Sequence, residues 1–184
     1  MVEMVKRDVI RQGKRVFLRH PVMEDAAEFL RLVKESRRLM NDWVSPPRSK
    51  GAFLEFVNRS RTETSRIYLV CHRSDRRIVG VFTLSQMTYG NLQSAYLGFY
   101  VGEEFSRQGY MTEGMGLVLK EAFGRLKLHR VEANIQPANG RSLRLVERCG
   151  FEREGYSPKY LKIGNRWRDH ERWAIRKEGY GSRS

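Results

Sequence analysis

Residues Ala95–Met115 read AYLGFYVGEEFSRQGYMTEGM. The run Ala95–Val101, rich in aromatic and branched side chains, predicts a strand. A short polar turn containing Gly109 follows. From there to about Leu126 the residues Met111, Met115, Val118, Ala122 and Leu126 recur at spacings of three and four, which predicts a long amphipathic helix. The first turn of any helix leaves about four backbone N–H groups without a partner, and these lie at the positive end of its dipole. Gly109 lets a ligand approach that backbone closely, and Arg107 adds a formal charge, so the turn has the makings of an anion site. The residues fit neither G-x-x-x-x-G-K-[ST] nor G-x-G-x-x-G, so neither a nucleotide P-loop nor a dinucleotide fingerprint is present. Read by themselves, they fit an ordinary helix cap as well.

A second stretch, Pro137–Phe151, reads PANGRSLRLVERCGF. Asn139 is suited to cap the helix that follows, Ser142 lies near its first turn, and Gly150 supplies a C-terminal stop. Leu143, Leu145 and Val146 give it an apolar face. A plain capped core helix satisfies the pattern equally.

Outward from these two stretches, RVFLRH (15–20) predicts a strand and Glu24-Asp25 the start of a helix with an apolar stripe at Ala26, Phe29, Leu30 and Val33. Residues 43–50 form a turn-rich loop before a helix marked by Phe53, Phe56 and Val57. IYLVC (67–71) and IVGVFTL (78–84) read as a hairpin joined by residues 74–77. VEANI (131–135), 151–156 and 167–175 complete the strands, and residues 177–184 read as a frayed tail after a single domain over 1–176. Strands alternating with helices in the second half demand crossovers, hence a mixed sheet in a three-layered α/β domain.

Composition limits the function classes. Of 184 residues, 40% are hydrophobic, enough for one core, and 35 Lys plus Arg against 21 Asp plus Glu give +14. Such an excess attracts RNA, a ribosome surface, a phosphorylated cofactor or an acidic peptide, or simply keeps the surface solvated. Two cysteines, Cys71 and Cys149, cannot build a disulfide framework and suit a reduced, cytoplasmic chain. The first twenty residues lack the apolar run of a secretory signal, and no stretch approaches the ~18 apolar residues of a membrane span. The four histidines show no metal-ligand spacing, so no metal is expected.

With its main blocks in view, the chain resembles the GNAT superfamily of acetyl-CoA-dependent N-acetyltransferases, and within it the RimJ/RimL-type ribosomal-protein-alanine N-acetyltransferases. The resemblance rests on VFLRHPVMEDAAEFLRL, AYLGFYVGEEFSRQGYMTEGM, HRVEANIQPANGRSLRLVERCGFEREGY and YLKIGNRWRDH, in that order. It implies a twisted mixed sheet of about seven strands flanked by four helices, with acetyl-CoA in a V-shaped opening between two central strands. Its diphosphate would lie on the turn Ser106, Arg107, Gln108, Gly109, Tyr110, Met111 and Thr112. The pantetheine arm would run beside Phe99, Tyr100 and Val101, with Asn139 on its other side. Ser142 would protonate the departing thiolate. The chain departs from the superfamily pattern at Ser106 and Met111, at Val146 where many members carry a tyrosine acid, and at Tyr96 where some carry a glutamate base. A water relayed through Glu103, Tyr96 or a backbone carbonyl is the expected base.

The resemblance further implies an acceptor pocket from Tyr156, Tyr160, Trp167 and Asp169. The expected partners are acetyl-CoA and the N-terminus of a ribosomal protein or a ribosome surface, with non-specific RNA contact, no membrane, and a monomer or homodimer. Two other readings stay open: acetylation of a small amine such as a polyamine or aminoglycoside, and a non-catalytic assembly factor bound to ribosomes or RNA.

Overall fold

The computed structural model describes residues 8–40 and 43–181. One sheet runs through them, in the spatial order β1 (Arg11–Gln12), β2 (Val16–Arg19), β4 (Ser65–His72), β5 (Ile78–Thr88), β6 (Ser94–Val101), β7 (Arg130–Ile135), β9 (Arg166–Arg176) and β8 (Glu152–Ile163), with β3 (Arg61–Thr62) paired to β4. All pairings are antiparallel except β6 with β7. That one parallel pair needs a crossover, which α4 (Tyr110–Lys120) and a π-helical turn (Glu121–Arg125) provide.

Helices cover both faces, as the alternation of β2, β4 and β5 requires. Val16, Leu18, Val70 and Phe82 point to the face under α4 and α5 (Gly140–Arg148). Phe17, Leu69, Cys71 and Val81 point to the face under α1 (Ala26–Glu35), α2 (Arg37–Met40) and α3 (Lys50–Asn58). Helix α4 lies so close to the sheet that a Cβ on Gly114 would stand 3.0 Å from the Phe82 ring. In α1, Ala26, Phe29 and Val33 of the expected stripe are buried, Leu30 is half-buried against the same core, and Leu32 joins them.

The elements outnumber the expected seven strands and four helices. Among the described residues there are nine strands, and α2 and α6 (Lys177–Gly181) are additional helices. The extra pieces span two to five residues, too short to carry a periodicity of 2 or 3.6. The β8–β9 hairpin is also longer than expected, because its outer part is exposed and its alternation is not apolar against polar. Residues 177–181 are not frayed. Tyr180 stacks on Phe123 at 5.4 Å and donates to the Gly116 carbonyl at 3.3 Å, which fastens α6 to α4. The rest of the expected tail, 182–184, lies outside the described residues. Cys71 and Cys149 are free, and burial pushes both thiols up to about 11. No described helix is long and apolar enough to cross a membrane.

His20 ties the end of β2 to β4, with Nδ1 2.7 Å from the Ile67 carbonyl and its ring stacked on Tyr68. Burial, reinforced by nearby arginines, lowers its pKa to about 4. Between about pH 6.5 and 4 the unfolded chain therefore binds a proton that the folded chain refuses, so stability falls as pH falls through that window. The expected loss is on the order of 2 kcal/mol between pH 7.5 and 4. Melting curves of the protein and of His20→Gln across that range should diverge, the variant being less acid-sensitive. Parallel curves would refute the assignment.

Candidate active site

The parallel pairing of β6 with β7 covers only Ser94↔Arg130, Ala95↔Val131 and Tyr96↔Glu132. Beyond that point β6 stays with β5 as far as Val101, while β7 follows β9. The sheet therefore forks. Gly102 N–H donates to the Val79 carbonyl at 2.8 Å. Backbone direction alternates along a strand, so the N–H and C=O groups of Val101 and Phe99 point away from β5, into the fork.

The chain between β6 and α4 is shaped by two left-handed residues, Arg107 (φ 63) and Gly109 (φ 79). A left-handed residue between ordinary ones turns successive amides toward a common concavity, the geometry of an anion nest. The first backbone bond of α4 is Glu113 N–H to Gly109 O at 3.2 Å. The amides of Tyr110, Met111 and Thr112 thus project from the helix start. Arg15 anchors the turn from behind, donating to the Gln108 carbonyl at 2.9 Å and lying over the Tyr110 ring at 4.8 Å. Glu113 accepts from Arg15 N–H at 2.8 Å and from its guanidinium at 3.2 Å. Burial opposes ionisation of Glu113, but these donors outweigh it and hold the carboxyl below its usual range. On the other side, Ser36 Oγ at the end of α1 accepts from Glu103 N–H at 2.8 Å.

Fork, turn and the start of α5 enclose a cavity of about 720 Å³, within the range of ligand sites. The structure brings together Phe99, Tyr100, Val101, Ser106, Arg107, Gly109, Tyr110, Met111, Thr112, Asn139 and Ser142 in its lining. Asn139 caps α5, its Oδ1 accepting from Ser142 N–H at 3.3 Å. That leaves the amide NH2 as the group its side chain can offer a ligand. The Tyr100 hydroxyl is buried without a partner among the described residues, and burial pushes its pKa far up.

The remaining expected site residues stand elsewhere. Gln108 turns back to donate to the Glu104 carbonyl at 2.6 Å. Glu103 is exposed, outside the cavity lining. Tyr96 sits at the last paired position of the fork, and its hydrogen bond with Tyr160 raises its pKa. The four expected acceptor residues divide into two groups. Tyr156 donates to Asp169 at 2.5 Å, Trp167 is 61% exposed, and Tyr160 packs edge-on against His170. Alternation along β9 puts Trp167 and Asp169 on one face, where Tyr156 joins Asp169, and His170 on the other, where Tyr160 packs.

Five arginines of the cavity lining fall into two groups. Arg107 was an expected ligand contact; Arg38, Arg141, Arg144 and Arg148 were not. A signal existed, since Arg141, Arg144 and Arg148 are spaced by three and four residues on one face of α5. None of the five is paired with a carboxylate among the described residues.

Comparisons with known proteins identify the family of this fold. Residues 15–152 match the family described as "Acetyltransferase (GNAT) domain". The chain belongs to the GNAT acetyltransferase family. Among its GNAT relatives, the "Probable N-acetyltransferase YjcK" of Bacillus subtilis is 33% identical over 172 residues, 89% of this chain and 95% of that protein. The "[Ribosomal protein uS5]-alanine N-acetyltransferase" of Escherichia coli is 32% identical over 145 residues, 74% of each chain. In three dimensions it is similar to Mycobacterium smegmatis RimJ, solved in complex with CoA-disulfide, with a TM-score of 0.80 and 27% identity over 89% of this chain and 82% of that one. The chain is thus a GNAT-fold N-acetyltransferase.

Proposed function

We propose that this enzyme transfers the acetyl group of acetyl-CoA to the N-terminal α-amine of a protein in the cytoplasm, a ribosomal protein by its likeness to the uS5-alanine enzyme. The observation that carries the reading is the cavity at the fork, whose parts match the chemistry of the donor. The amides of Arg107–Thr112 suit a diphosphate, the outward N–H and C=O groups of Phe99 and Val101 suit the amide-bearing pantetheine arm, and the unpaired arginines suit the remaining phosphate. Acetyl-CoA supplies the acyl group as a thioester.

The protein's own tasks are three. Val101 N–H, free of the β5 ladder, points to where the acyl oxygen would gain negative charge. Ser142 Oγ, on the first turn of α5 and in the cavity lining, gives its proton to the departing sulfur and is reprotonated by the proton that the acetylated nitrogen sheds. The third task, removing a proton from the amine, needs little help. An α-amine titrates at ~7.7–8.0 and is partly neutral at physiological pH, whereas lysine titrates at ~10.4. Glu103 and Tyr96 lie outside the cavity lining, and we assign neither a proton-transfer step. That makes an α-amine the better acceptor for this site than a lysine. A polyamine, a multiple cation, suits a protein of net charge +14 less well.

The test is thiol release from acetyl-CoA with peptides beginning in Ala or Ser, against spermidine and free lysine. Turnover confined to spermidine would overturn the assignment. Ser142→Ala should lower kcat by about 10- to 100-fold with the KM for acetyl-CoA nearly unchanged. An unchanged kcat would remove Ser142 from the reaction.

A further inference from the structure

A second cavity, of about 700 Å³, lies beside the first and shares Val44 with it as a common wall. It is bounded by the loop leading into α3 on one side and the tip of the β8–β9 hairpin on the other. Pro46 and Pro47 stiffen the loop, and Ser49, whose Oγ accepts from Ala52 N–H at 3.2 Å, caps the helix that follows. Gly164 (φ 60) closes the hairpin tip opposite. The charged residues lining the cavity are Arg48, Arg59, Arg166 and Arg168, with Glu55 as the one carboxylate among them. Arg48, Arg59 and Arg166 make no salt bridge with any described residue.

Uncompensated arginines around a ligand-sized cavity repel one another and are relieved by carboxylates, which guanidinium groups grip with paired hydrogen bonds. We infer that this second cavity receives an acidic peptide segment, the residues that follow the acceptor amine. This rests on the acceptor being a protein N-terminus. With the amine in the fork beside Ser142, the chain behind it passes Val44 and enters the arginine-lined space. Glutamate or aspartate a few residues from the N-terminus then meets Arg48 and Arg166. The cavity therefore selects among N-termini by charge.

The experiment uses the full-length protein and two peptides that begin with alanine and differ only in carrying glutamate or glutamine at the third and fourth positions. The glutamate peptide should show about tenfold higher kcat/KM, expressed mainly in KM. That ratio should collapse toward one in R48Q/R166Q and at high salt. Equal rates for the two peptides would overturn this inference and leave N-terminal acetylation standing. So would a preference that survives in R48Q/R166Q. If neither peptide is acetylated, or bound beside coenzyme A in calorimetry, the inference falls together with the proposed acceptor. Melting curves of R48Q/R166Q establish that the variant is folded.

Discussion

Gly109→Asp is expected to weaken coenzyme A binding by at least about 100-fold while the protein remains folded. Gly109 has φ 79, a conformation in which aspartate and asparagine are strained least among residues with a side chain. A Cβ there would meet only the Arg15 guanidinium, at 3.2 Å, a side-chain end that needs to give by a few tenths of an ångström at most. A carboxylate at a helix start is also compatible with the dipole. Folding should therefore survive. What changes is the cradle, because the new carboxylate competes for the amides of Tyr110–Thr112 and stands beside the place proposed for the diphosphate. Two like charges ~5 Å apart at an effective dielectric of ~20 repel by about 3 kcal/mol, roughly a factor of 100 in affinity. Gly109→Asn, equal in shape and without the charge, should lose no more than about tenfold. Calorimetric titration with coenzyme A measures both. If the aspartate variant binds as tightly as the unaltered chain, the amide turn is not the diphosphate site.

This cradle was legible in the sequence because its parts are local. A strand, a glycine and a helix with a clear repeat fall within 32 residues, 95–126, and the turn proposed for the diphosphate offers backbone amides whatever side chains occupy Ser106 or Met111. Asn139 and Ser142 were legible for the same reason, as the cap and first turn of one short helix. The acceptor side was not. Tyr156, Tyr160, Trp167 and Asp169 are close in sequence, but an irregularity in the pairing between Ser157 and Leu161 sets Tyr160 against His170 and Tyr96 while Tyr156 bonds Asp169, and Trp167 lies exposed further along the hairpin. The cavity beside Val44 joins residues 44–59 to residues 163–168. Contacts between segments about a hundred residues apart leave no spacing in the sequence to be read. The arginines of α5 did leave one, at 141, 144 and 148, which was legible as the solvated face of an amphipathic helix rather than as the wall of a cavity.

The largest effect on stability should come from a residue remote from the chemistry. Asp25→Ala is expected to cost about 3–5 kcal/mol, because it strands a buried guanidinium. Arg19 on β2 is 1% exposed, and it grips Asp25 with both terminal nitrogens, at 2.6 and 2.8 Å. Burial works against the charge on Arg19, and the Asp25 carboxylate together with Cys71 more than offsets it. Asp25 also accepts from Val22 N–H at 2.9 Å, which fixes the short 3-10 turn from which α1 departs. Removing the carboxylate alone leaves a positive charge inside the molecule with too few acceptors. Removing both charges does not, so Arg19→Met with Asp25→Leu should regain most of the loss. For a chain of this length the single change corresponds to a fall in Tm of roughly 10 °C. The other end of α1 carries Ser36, whose Oγ holds Glu103 N–H just ahead of the amide turn, so the same substitution loosens the wall from which that turn is hung. Coenzyme A binds only the folded form, and saturating concentrations should restore part of the lost Tm. Thermal melts of the single and double variants, with and without coenzyme A, provide the test. A single variant that melts within about 2 °C of the unaltered protein would mean that the pair contributes no more than an exposed one.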